Sequence, residues 1–416
     1  MFRHDLGDPS NRFSSWVGKG DCCNWTGVVC DNLTGHVLEL HLAGYMPFTP
    51  SFSGTPDSLS EVESLQWISG LSQLQHLDMS CANLSKASDW LRVTNTLPSL
   101  VESFHMSACG LYHIPAGIAN MTNLKFLDLQ GNYISSTIPK WLYRLSHLQS
   151  LILSYNLFHG EISSSLGNLT SIVNLDMRRN NLNGSVSEIF ESPVQIESLS
   201  LSENNLSGQL TDKLGNFEKL RKLNLAYNSI SGPLPPSFGN LSCLEVLRID
   251  DNNLSGVISQ LHFTNLTRLV EFFASGNSLT LETTPHWLPP FQLSILDLDS
   301  WHLESSEFPM WLQSQTQLGI LSMSNTRISG TIPTWFWNFS SALEYIDLSE
   351  NKLYGEVPPI FPSSMWLNLY IGSNQFHGSL PLVSPALELL DLSNSSFSGT
   401  LFHFFCNINN SEPKVD

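Results

Sequence analysis

Residues 148–184 read LQSLILSYNLFHGEISSSLGNLTSIVNLDMRRNNLNG, and one phrase occurs in them twice, 24 residues apart. The phrase has apolar residues at positions one, four, six and eleven, Asn at position nine and Gly at position thirteen. A fixed period of this length predicts a solenoid, in which each coil contacts only its neighbours and the stack offers an extended binding surface.

Each unit has the alternation of a short strand with one buried face. Positions one, four and six are predicted to point inward, and positions two, three, five, seven and eight to face solvent. Since one unit cannot cover its own apolar face, neighbouring units must stack. Fifteen strand registers are predicted, beginning at Val37, Leu74, Val101, Leu124, Leu148, Ile172, Ile196, Leu220, Leu244, Leu269, Leu293, Leu318, Leu343, Trp366 and Leu387.

The Asn at position nine is predicted to turn inward and to bond the backbone of the turn and of adjacent coils. We call these residues the Asn ladder: Asn132, Asn156, Asn180, Asn204, Asn228, Asn252, Asn277, Asn351 and Asn374. Other residues take this position at Ala82, Cys109, Trp301, Thr326 and Ser395. Because an indole cannot replace a small amide, we expect the coil to bulge at Trp301.

Net charge limits the classes of partner. The chain has 37 acidic and 19 basic residues, a formal net charge of −18. This argues against nucleic acid or an anionic membrane surface, whose phosphates require Lys and Arg. Met1–Ser10 contain no apolar run resembling a signal peptide, and no stretch of 18 apolar residues occurs. These two features alone favour an intracellular protein, but the repeats, cysteines and glycosylation motifs point to an extracellular one.

Asn-x-Ser/Thr motifs are frequent in this chain. Thirteen occur, at Asn24, Asn32, Asn83, Asn120, Asn168, Asn183, Asn205, Asn240, Asn253, Asn265, Asn338, Asn394 and Asn409. The repeat phrase itself contains Asn-Leu-Ser and Asn-Leu-Thr, so either real glycosylation sites or the repeat pattern alone could explain this frequency. Placement favours real sites, since the ladder would hold Asn204 inside while Asn205 faces water.

The seven cysteines divide into groups. Cys22, Cys23 and Cys30 lie just ahead of the first strand, where a disulfide would stabilise a cap too small for a core of its own. Three cysteines leave one without a partner. Cys81, Cys109 and Cys243 are interpreted as inert packing residues, and Cys406 stands alone near the end.

Motifs for catalysis are absent from the sequence. It contains no G-x-S-x-G, H-E-x-x-H, G-x-x-x-x-G-K-[ST] or paired C-x-x-C. Its 13 His lack ligand spacing. We therefore expect no enzyme activity, no cofactor and no metal site.

A family resemblance covers nearly the whole chain. Asp8–Trp16, Cys22–Cys30 and Gly35–Leu42 resemble the amino-terminal cap of plant leucine-rich-repeat receptors. The Leu-Ser-Gly-x-Ile-Pro continuation is similar to the plant-specific repeat class. Ser58–Trp67 and Asn83–Leu91 resemble plant receptor-like proteins of the fungal-xylanase-receptor type.

The chain also departs from that family. The resemblance implies a signal peptide and an earlier cysteine that would precede Met1, so that Cys23 pairs with Cys30 and Cys22 has lost its partner. It also implies further repeats, a cap, one membrane helix and a short tail beyond Asp416. Since Leu401–Phe405 follow the last strand without a polar cap, we expect a fragment or a truncated product that is prone to aggregation.

The resemblance implies an α/β solenoid. We expect a right-handed leucine-rich-repeat horseshoe with a parallel sheet on the concave face, short 3-10, helical or irregular segments and Gly-x-Ile-Pro turns on the convex side. The expected domains are a truncated cap at 1–36, a solenoid at 37–401 with an irregular insertion near 45–66, and a truncated tail at 402–416.

Exposed large side chains are predicted to form the ligand site, because Tyr, Arg and Phe are enriched at binding hot spots. Position eight gives five of them on successive coils, and positions five and seven add three more. The predicted ligand-binding residues are Tyr155, Arg178, Arg179, Glu203, Tyr227, Arg248, Asp251 and Phe273.

The predicted function is ligand recognition by the extracellular part of a plant cell-surface receptor-like protein. The ligand would be a peptide or protein, and the resemblance implies partner receptor kinases and a single-pass type I membrane protein. Two alternatives remain open: a secreted leucine-rich-repeat inhibitor of microbial cell-wall-degrading enzymes, and a truncated product with no independent function.

Overall fold

The computed structural model describes residues 14–16, 20–43, 62–114, 121–191, 195–339, 343–360, 367–383, 387–399 and 414–415. These residues belong to two compact units, Met1–Leu206 and Ser207–Asp416. Each unit is a stack of short coils, and each coil contributes one strand to a parallel main sheet. This confirms the predicted leucine-rich-repeat solenoid class.

In the first unit, the seven parallel strands of the main sheet pair in register, and an eighth strand pairs antiparallel with the first of them. The antiparallel strand is β1 (Val28–Cys30). The parallel strands are β2 (Val37–His41), β3 (His76–Asp78), β4 (Ser103–His105), β5 (Phe126–Asp128), β6 (Ser150–Ile152), β8 (Asn174–Asp176) and β10 (Ser198–Ser200).

In the second unit, the main sheet is parallel throughout its described residues. Its strands are β11 (Lys222–Asn224), β13 (Val246–Arg248), β15 (Glu271–Phe273), β17 (Ile295–Asp297), β19 (Ile320–Ser322), β21 (Tyr345–Asp347), β23 (Leu367–Tyr370), β25 (Leu387–Asp391) and β27 (Lys414–Val415). Both units therefore place a strand at every predicted register.

A second set of strands follows the ladder position in ten of the described coils, and we call these the lateral strands. In the first unit they are β7 (His159–Glu161) and β9 (Asn181–Asn183). In the second unit they are β12 (Ser231–Gly232), β14 (Asn253–Ser259), β16 (Ser278–Glu282), β18 (His302–Leu303), β20 (Ser329–Gly330), β22 (Lys352–Gly355), β24 (Gln375–Ser379) and β26 (Ser396–Ser398). Within the described part of the chain, the lateral strands form three small parallel sheets, which the sequence analysis did not predict.

Short helical segments complete the coils. Among the described residues, the α-helices are α1 (Trp90–Thr94) and α2 (Thr334–Phe339). The 3-10 segments span Cys22–Asn24, Gln66–Gly70, Leu142–Arg144, Ser164–Asn168, Val186–Glu191, Asp212–Asn216, Pro236–Asn240, Gln260–Phe263 and Met310–Ser314. Their brevity follows from the period, because a coil of 24 residues leaves little room after its strands and turns.

The core is a series of apolar layers, one layer for each strand position. Position four is almost fully buried in every described coil, as at Leu151, Leu175, Leu247 and Leu321. The third residue of the Gly-x-Ile-Pro phrase is buried as well, for example Ile332. Each layer covers the next, so burial depends on the in-register stacking of neighbouring coils.

The Asn ladder connects successive coils through side-chain amides. The Nδ2 group of Asn180 donates to the carbonyl oxygens of Met177 and Arg178 in its own coil and of Leu153 in the preceding coil, at 3.1, 3.3 and 3.0 Å. Its Oδ1 accepts from the backbone N–H of Phe158, in the preceding coil, at 2.9 Å. The same contacts recur in both units at other ladder positions, as at Asn156 and Asn252.

Trp301 does not cause the expected bulge, so that expectation was wrong. Its strand, β17, pairs with β15 and β19 without a shift in register. The indole is buried and its Nε1–H donates to the carbonyl oxygen of Ala274 at 2.8 Å, the same bond to the preceding coil that a ladder Asn makes. An edge-to-face contact with Phe272, at 5.9 Å between ring centroids, holds the larger ring in place.

Two further expectations about side-chain direction were wrong. Position seven does not generally face solvent, since Ser154, Ser202 and Asp250 are buried there. At the third register, Leu100 is buried while Val101 is only half-buried. Position seven lies where the strand ends and turns inward toward the ladder Asn, so its side chain is enclosed by the neighbouring coils.

Some expectations lie outside the described residues. They are the cap segment before residue 14, most of the insertion near 45–66, Trp366, Cys406, the apolar run Leu401–Phe405, Asn120 and Asn409. The domain boundaries at 36 and 401 also stay predictions.

Adjacent asparagines allow a matched test of the ladder. We expect Asn180→Ala to lower the free energy of unfolding by about 2–4 kcal/mol, because it leaves a buried N–H and buried carbonyls without partners. Asn181→Ala, at the exposed neighbouring position, should change the free energy of unfolding by about 0.5 kcal/mol or less. Urea unfolding followed by circular dichroism provides the comparison, and equal losses in the two variants would contradict the role of the ladder.

Candidate ligand-binding surface

Position eight has a left-handed backbone in every coil in which that residue is described. The backbone φ lies between 47° and 68° at each of these residues. They are Cys81, Ala108, Gly131, Tyr155, Arg179, Glu203, Tyr227, Asp251, Gly276, Ser300, Asn325, Glu350, Ser373 and Asn394. Gly and Asn adopt this conformation most easily, so Tyr, Arg and Glu occupy it at a cost of about 1 kcal/mol or more each.

In the first unit, the structure brings four predicted ligand-binding residues together. The guanidinium of Arg179 lies 4.9 Å from the ring centroid of Tyr155, and that of Arg178 lies 5.6 Å from it. Arg179 Nε also donates to Glu203 Oε1 at 2.6 Å. This hydrogen bond raises the pKa of Arg179, so the arginine is cationic at any physiological pH. We call Tyr155, Arg178, Arg179 and Glu203 the first-unit row.

Arg178 has a second partner in this row. Its Nε lies 3.4 Å from Asp176 Oδ2, and the Asp176 side chain is largely enclosed. Burial raises the pKa of Asp176, and the charge of Arg178 opposes that rise. The row thus presents a π face, two guanidinium groups and carboxylate oxygens on adjacent coils, a combination that suits a ligand carrying both charges and hydrogen-bonding groups.

In the second unit, the other four predicted residues form two pairs. The guanidinium of Arg248 lies 4.2 Å above the ring centroid of Phe273. A hydrogen bond to the carboxylate of Asp251 raises the pKa of Tyr227, whose side chain is 54% exposed. We call Tyr227, Arg248, Asp251 and Phe273 the second-unit row. Each row is therefore held in place by its own contacts before any ligand binds.

Sequence reasoning missed a group of acidic side chains on the same face of the second unit. Burial raises the pKa of Asp250, Asp297 and Asp299, and that of Asp299 reaches about 6. The Asp299 carboxylate accepts from the Ser324 backbone N–H at 2.6 Å and from Ser322 Oγ at 2.9 Å. The signal in the sequence was Asp at positions five and seven of neighbouring coils, where the predicted solvent exposure hid their partial burial.

A disulfide joins Cys23 and Cys30, as the family resemblance implied, with the two Cα atoms 5.5 Å apart. Cys22 is not in a disulfide, and its Sγ lies within 4.8 Å of both bonded sulfur atoms. Cys109 is buried, and burial raises the pKa of its thiol well above the ordinary value. Its Sγ lies 3.2 Å from the carbonyl oxygen of Met79, so this cysteine packs at the ladder position.

The described glycosylation motifs place their Asn side chains mainly at the surface. The exposed ones are Asn24, Asn32, Asn168, Asn183, Asn205, Asn240, Asn253, Asn265 and Asn394. Asn83 is half-buried, and the side chain of Asn338 is outside the described set. The ladder residue Asn204 is buried while Asn205 beside it is exposed.

No helix among the described residues has the length and apolar character needed to cross a membrane.

Three family models match the chain. The leucine-rich repeat region model matches residues 104–303, and the single leucine-rich repeat model matches residues 317–339, 342–364 and 386–408. The leucine-rich repeat N-terminal domain model matches residues 1–31. The repeat matches together cover more than half of the chain.

Three curated relatives are plant receptor-like proteins. Receptor-like protein EIX2 of Solanum lycopersicum is 37% identical over 145 residues, which is 35% of this chain and 14% of that protein. Receptor-like protein EIX1 of the same plant is 40% identical over 127 residues, covering 30% and 12%. Receptor like protein 21 of Arabidopsis thaliana is 43% identical over 415 residues, covering 92% and 41%. The chain therefore spans less than half the length of these relatives.

Solved structures share the fold. The crystal structure of PEPR1–AtPEP1 has a TM-score of 0.56 and 25% identity, over 95% of this chain and 48% of that one. A TDR receptor has a TM-score of 0.57 and 22% identity, over 79% and 65%. The plant peptide hormone receptor RGFR1 in complex with RGF2 has a TM-score of 0.53 and 21% identity, over 90% and 84%.

Asp299 is expected to make stability depend on pH. Because its pKa in the folded chain is about 6, against 3.8 for an ordinary aspartate, its contribution to the free energy of unfolding is fully present below about pH 4 and is lost as pH rises through about 6. We expect Asp299→Asn to remove that loss, so that the variant exceeds the native chain by about 1–2 kcal/mol at pH 7.5 and by nothing at pH 4, allowing for solvent screening.

Urea unfolding at the two pH values measures this difference. Glu304→Gln, which neutralises an exposed carboxylate in the same coil, serves as the control and should behave alike at both pH values. An Asp299→Asn effect that is the same at pH 4 and pH 7.5 would disprove the assignment.

Proposed function

We propose a ligand-recognition function for this chain, which belongs to the plant leucine-rich-repeat receptor-like proteins. In this proposal the chain is the ligand-binding part of a receptor at the extracellular face of the plasma membrane. It binds a peptide or a protein on the main-sheet face and acts through partner receptor kinases. The partners and the location rest on family membership, since the three curated relatives are receptor-like proteins.

The observation that carries the proposal is the size of the side chains at position eight. Gly131 and Gly276 show that the coil accepts glycine there, and Asn325 shows that it accepts asparagine. Tyr155, Arg179 and Tyr227 occupy the same left-handed backbone at a higher conformational cost. Tyr and Arg are also residue types that dominate binding energy at interfaces.

The pre-formed contacts of each row also support binding. Arg179 is held between Tyr155 and Glu203, and Arg248 is held over Phe273. A ligand that meets side chains already fixed in place loses less conformational entropy on binding. Both rows combine cationic, anionic and aromatic groups, which favours a peptide or protein over an apolar small molecule. The crystal structure of PEPR1–AtPEP1, which shares the fold of this chain, also supports the proposal.

Substitution of the rows tests the proposal. Peptides selected from a random display library on the native chain should lose affinity by about tenfold or more when Tyr155 and Arg179, or Tyr227 alone, are replaced by Ala, because hot-spot truncation removes more than about 1.4 kcal/mol. Surface plasmon resonance with the purified chain gives the dissociation constants.

Tyr354→Ala is the matched control, since this tyrosine is 49% exposed but lies on the lateral strand β22. Its affinity should match that of the native chain. Unchanged affinity in both row variants would contradict the proposed site. Inhibition of a fungal polygalacturonase by the chain would instead favour the secreted-inhibitor alternative.

A further inference from the structure

A polar depression on the first unit is lined by no residue of either row and is unexplained by ligand recognition on the main-sheet face. Its volume is about 440 Å³, within the range of about 300–1,000 Å³ typical of small-molecule sites. The lining residues are Glu161, Ile162, Ser163, Ser164, Asn183, Ser185, Glu188 and Leu206. It opens beside the lateral strands β7 and β9.

The lining is rich in hydrogen-bond acceptors and carries negative charge. Among the described residues, neither Glu161 nor Glu188 has an ion pair with a basic side chain, and both are exposed. Carboxylates only accept hydrogen bonds, whereas the Ser hydroxyl groups accept and donate. The depression therefore disfavours an anion and suits a neutral ligand with several O–H and N–H donors, which is the chemistry of a saccharide.

A glycosylation motif lies at the rim of this depression. Asn183 is exposed and is the direct partner of Glu161 in the parallel pairing of β9 with β7. Partners on neighbouring strands lie about 4.8 Å apart, so a sugar attached to Asn183 Nδ2 begins beside the Glu161 carboxylate.

The central residue of the motif shapes the site. Gly184 has φ +91°, and a Cβ atom there would lie 2.7 Å from Cγ of Glu161. A side chain on residue 184 would therefore displace Glu161 from its place across the motif. The sequence Asn183-Gly184-Ser185 thus combines an acceptor for glycosylation with a backbone that brings a carboxylate against it.

Other motifs in this unit lack that setting. Asn205 is also exposed, but it lies at position ten of the next coil and does not line the depression. Asn168 ends a 3-10 segment and does not line it either. Asn183 is the one described glycosylation motif whose Asn is among the lining residues.

We infer that the first N-acetylglucosamine residues of an N-glycan on Asn183 bind in this depression, with Glu161 and Glu188 accepting hydrogen bonds from their hydroxyl and acetamido groups. The glycan is then part of the surface of the first unit and covers the lateral strands β7 and β9. Its tether to Asn183 keeps its local concentration high, so a few weak hydrogen bonds suffice to hold it.

The rate at which a glycosidase cleaves the glycan tests whether the glycan is bound in the depression. The chain is expressed through the secretory pathway with high-mannose glycans and treated, while folded, with an endoglycosidase that cuts between the two core sugars. Glycopeptide mass spectrometry then follows cleavage at Asn183 and Asn205 in the same sample. We expect cleavage at Asn183 to be about tenfold slower, the effect of one or two hydrogen bonds, and cleavage to be equal after denaturation.

Variants distinguish binding of the glycan in the depression from general steric hindrance of the enzyme. Glu161→Ala combined with Glu188→Ala should bring the Asn183 rate to that of Asn205, while Glu218→Ala, at an exposed carboxylate elsewhere, should leave the difference intact. Equal rates in the native chain, protection that survives the double substitution, or an Asn183 without glycan would overturn the inference.

A further experiment tests whether the depression binds the attached glycan or a free saccharide. Asn183→Gln removes the attachment point, and the variant is titrated with free N,N′-diacetylchitobiose by calorimetry. We expect no saturation below about 1 mM, since the untethered sugar lacks the high local concentration. Saturable binding below that concentration would assign the depression to a free saccharide and would contradict seating of the attached glycan. None of these outcomes depends on ligand binding by the two rows.

Discussion

The side-chain amide at position nine is the constraint on which both units depend. A solenoid coil must turn sharply after its strand, and the turn leaves backbone N–H and C=O groups facing the interior. Asn offers donors and an acceptor on a short side chain, so Asn180 satisfies three carbonyl groups and one N–H in two coils at once. This joins neighbouring coils at the same place where the main chain changes direction.

The ladder also explains how large side chains reach the surface. With position nine drawn inward, the residue before it adopts a left-handed backbone, as at Tyr155 and Arg179. Their side chains then lie on the open face of the main sheet, where cation–π contacts and the bond between Arg179 and Glu203 fix them. The constraint that closes the coil thus determines which residues can meet a ligand.

Periodicity was enough to predict the strands, the ladder and the residues at position eight, because each depends on local spacing alone. It was insufficient where a side chain meets neighbours from other coils. Trp301 keeps the register because its indole N–H reaches the carbonyl oxygen of Ala274, a contact that size alone argued against. Asp299 was expected in solvent, but burial and then the charge of Asp297 raise its pKa, although the hydrogen bonds from Ser324 and Ser322 lower it. The lateral depression depends on Gly184 and Glu161 together, which no single repeat displays.

Native-state hydrogen exchange at position eleven tests the ladder most directly. The backbone N–H groups of Ile134, Phe158 and Leu182 donate to the Oδ1 atoms of Asn156, Asn180 and Asn204 in the following coil. If the ladder amides hold the coils together, these three N–H groups exchange as slowly as those of the buried strand residues Leu151 and Leu175, although two of the three lie outside the main sheet and its lateral strands. Exchange at the rate of an exposed turn would contradict the account.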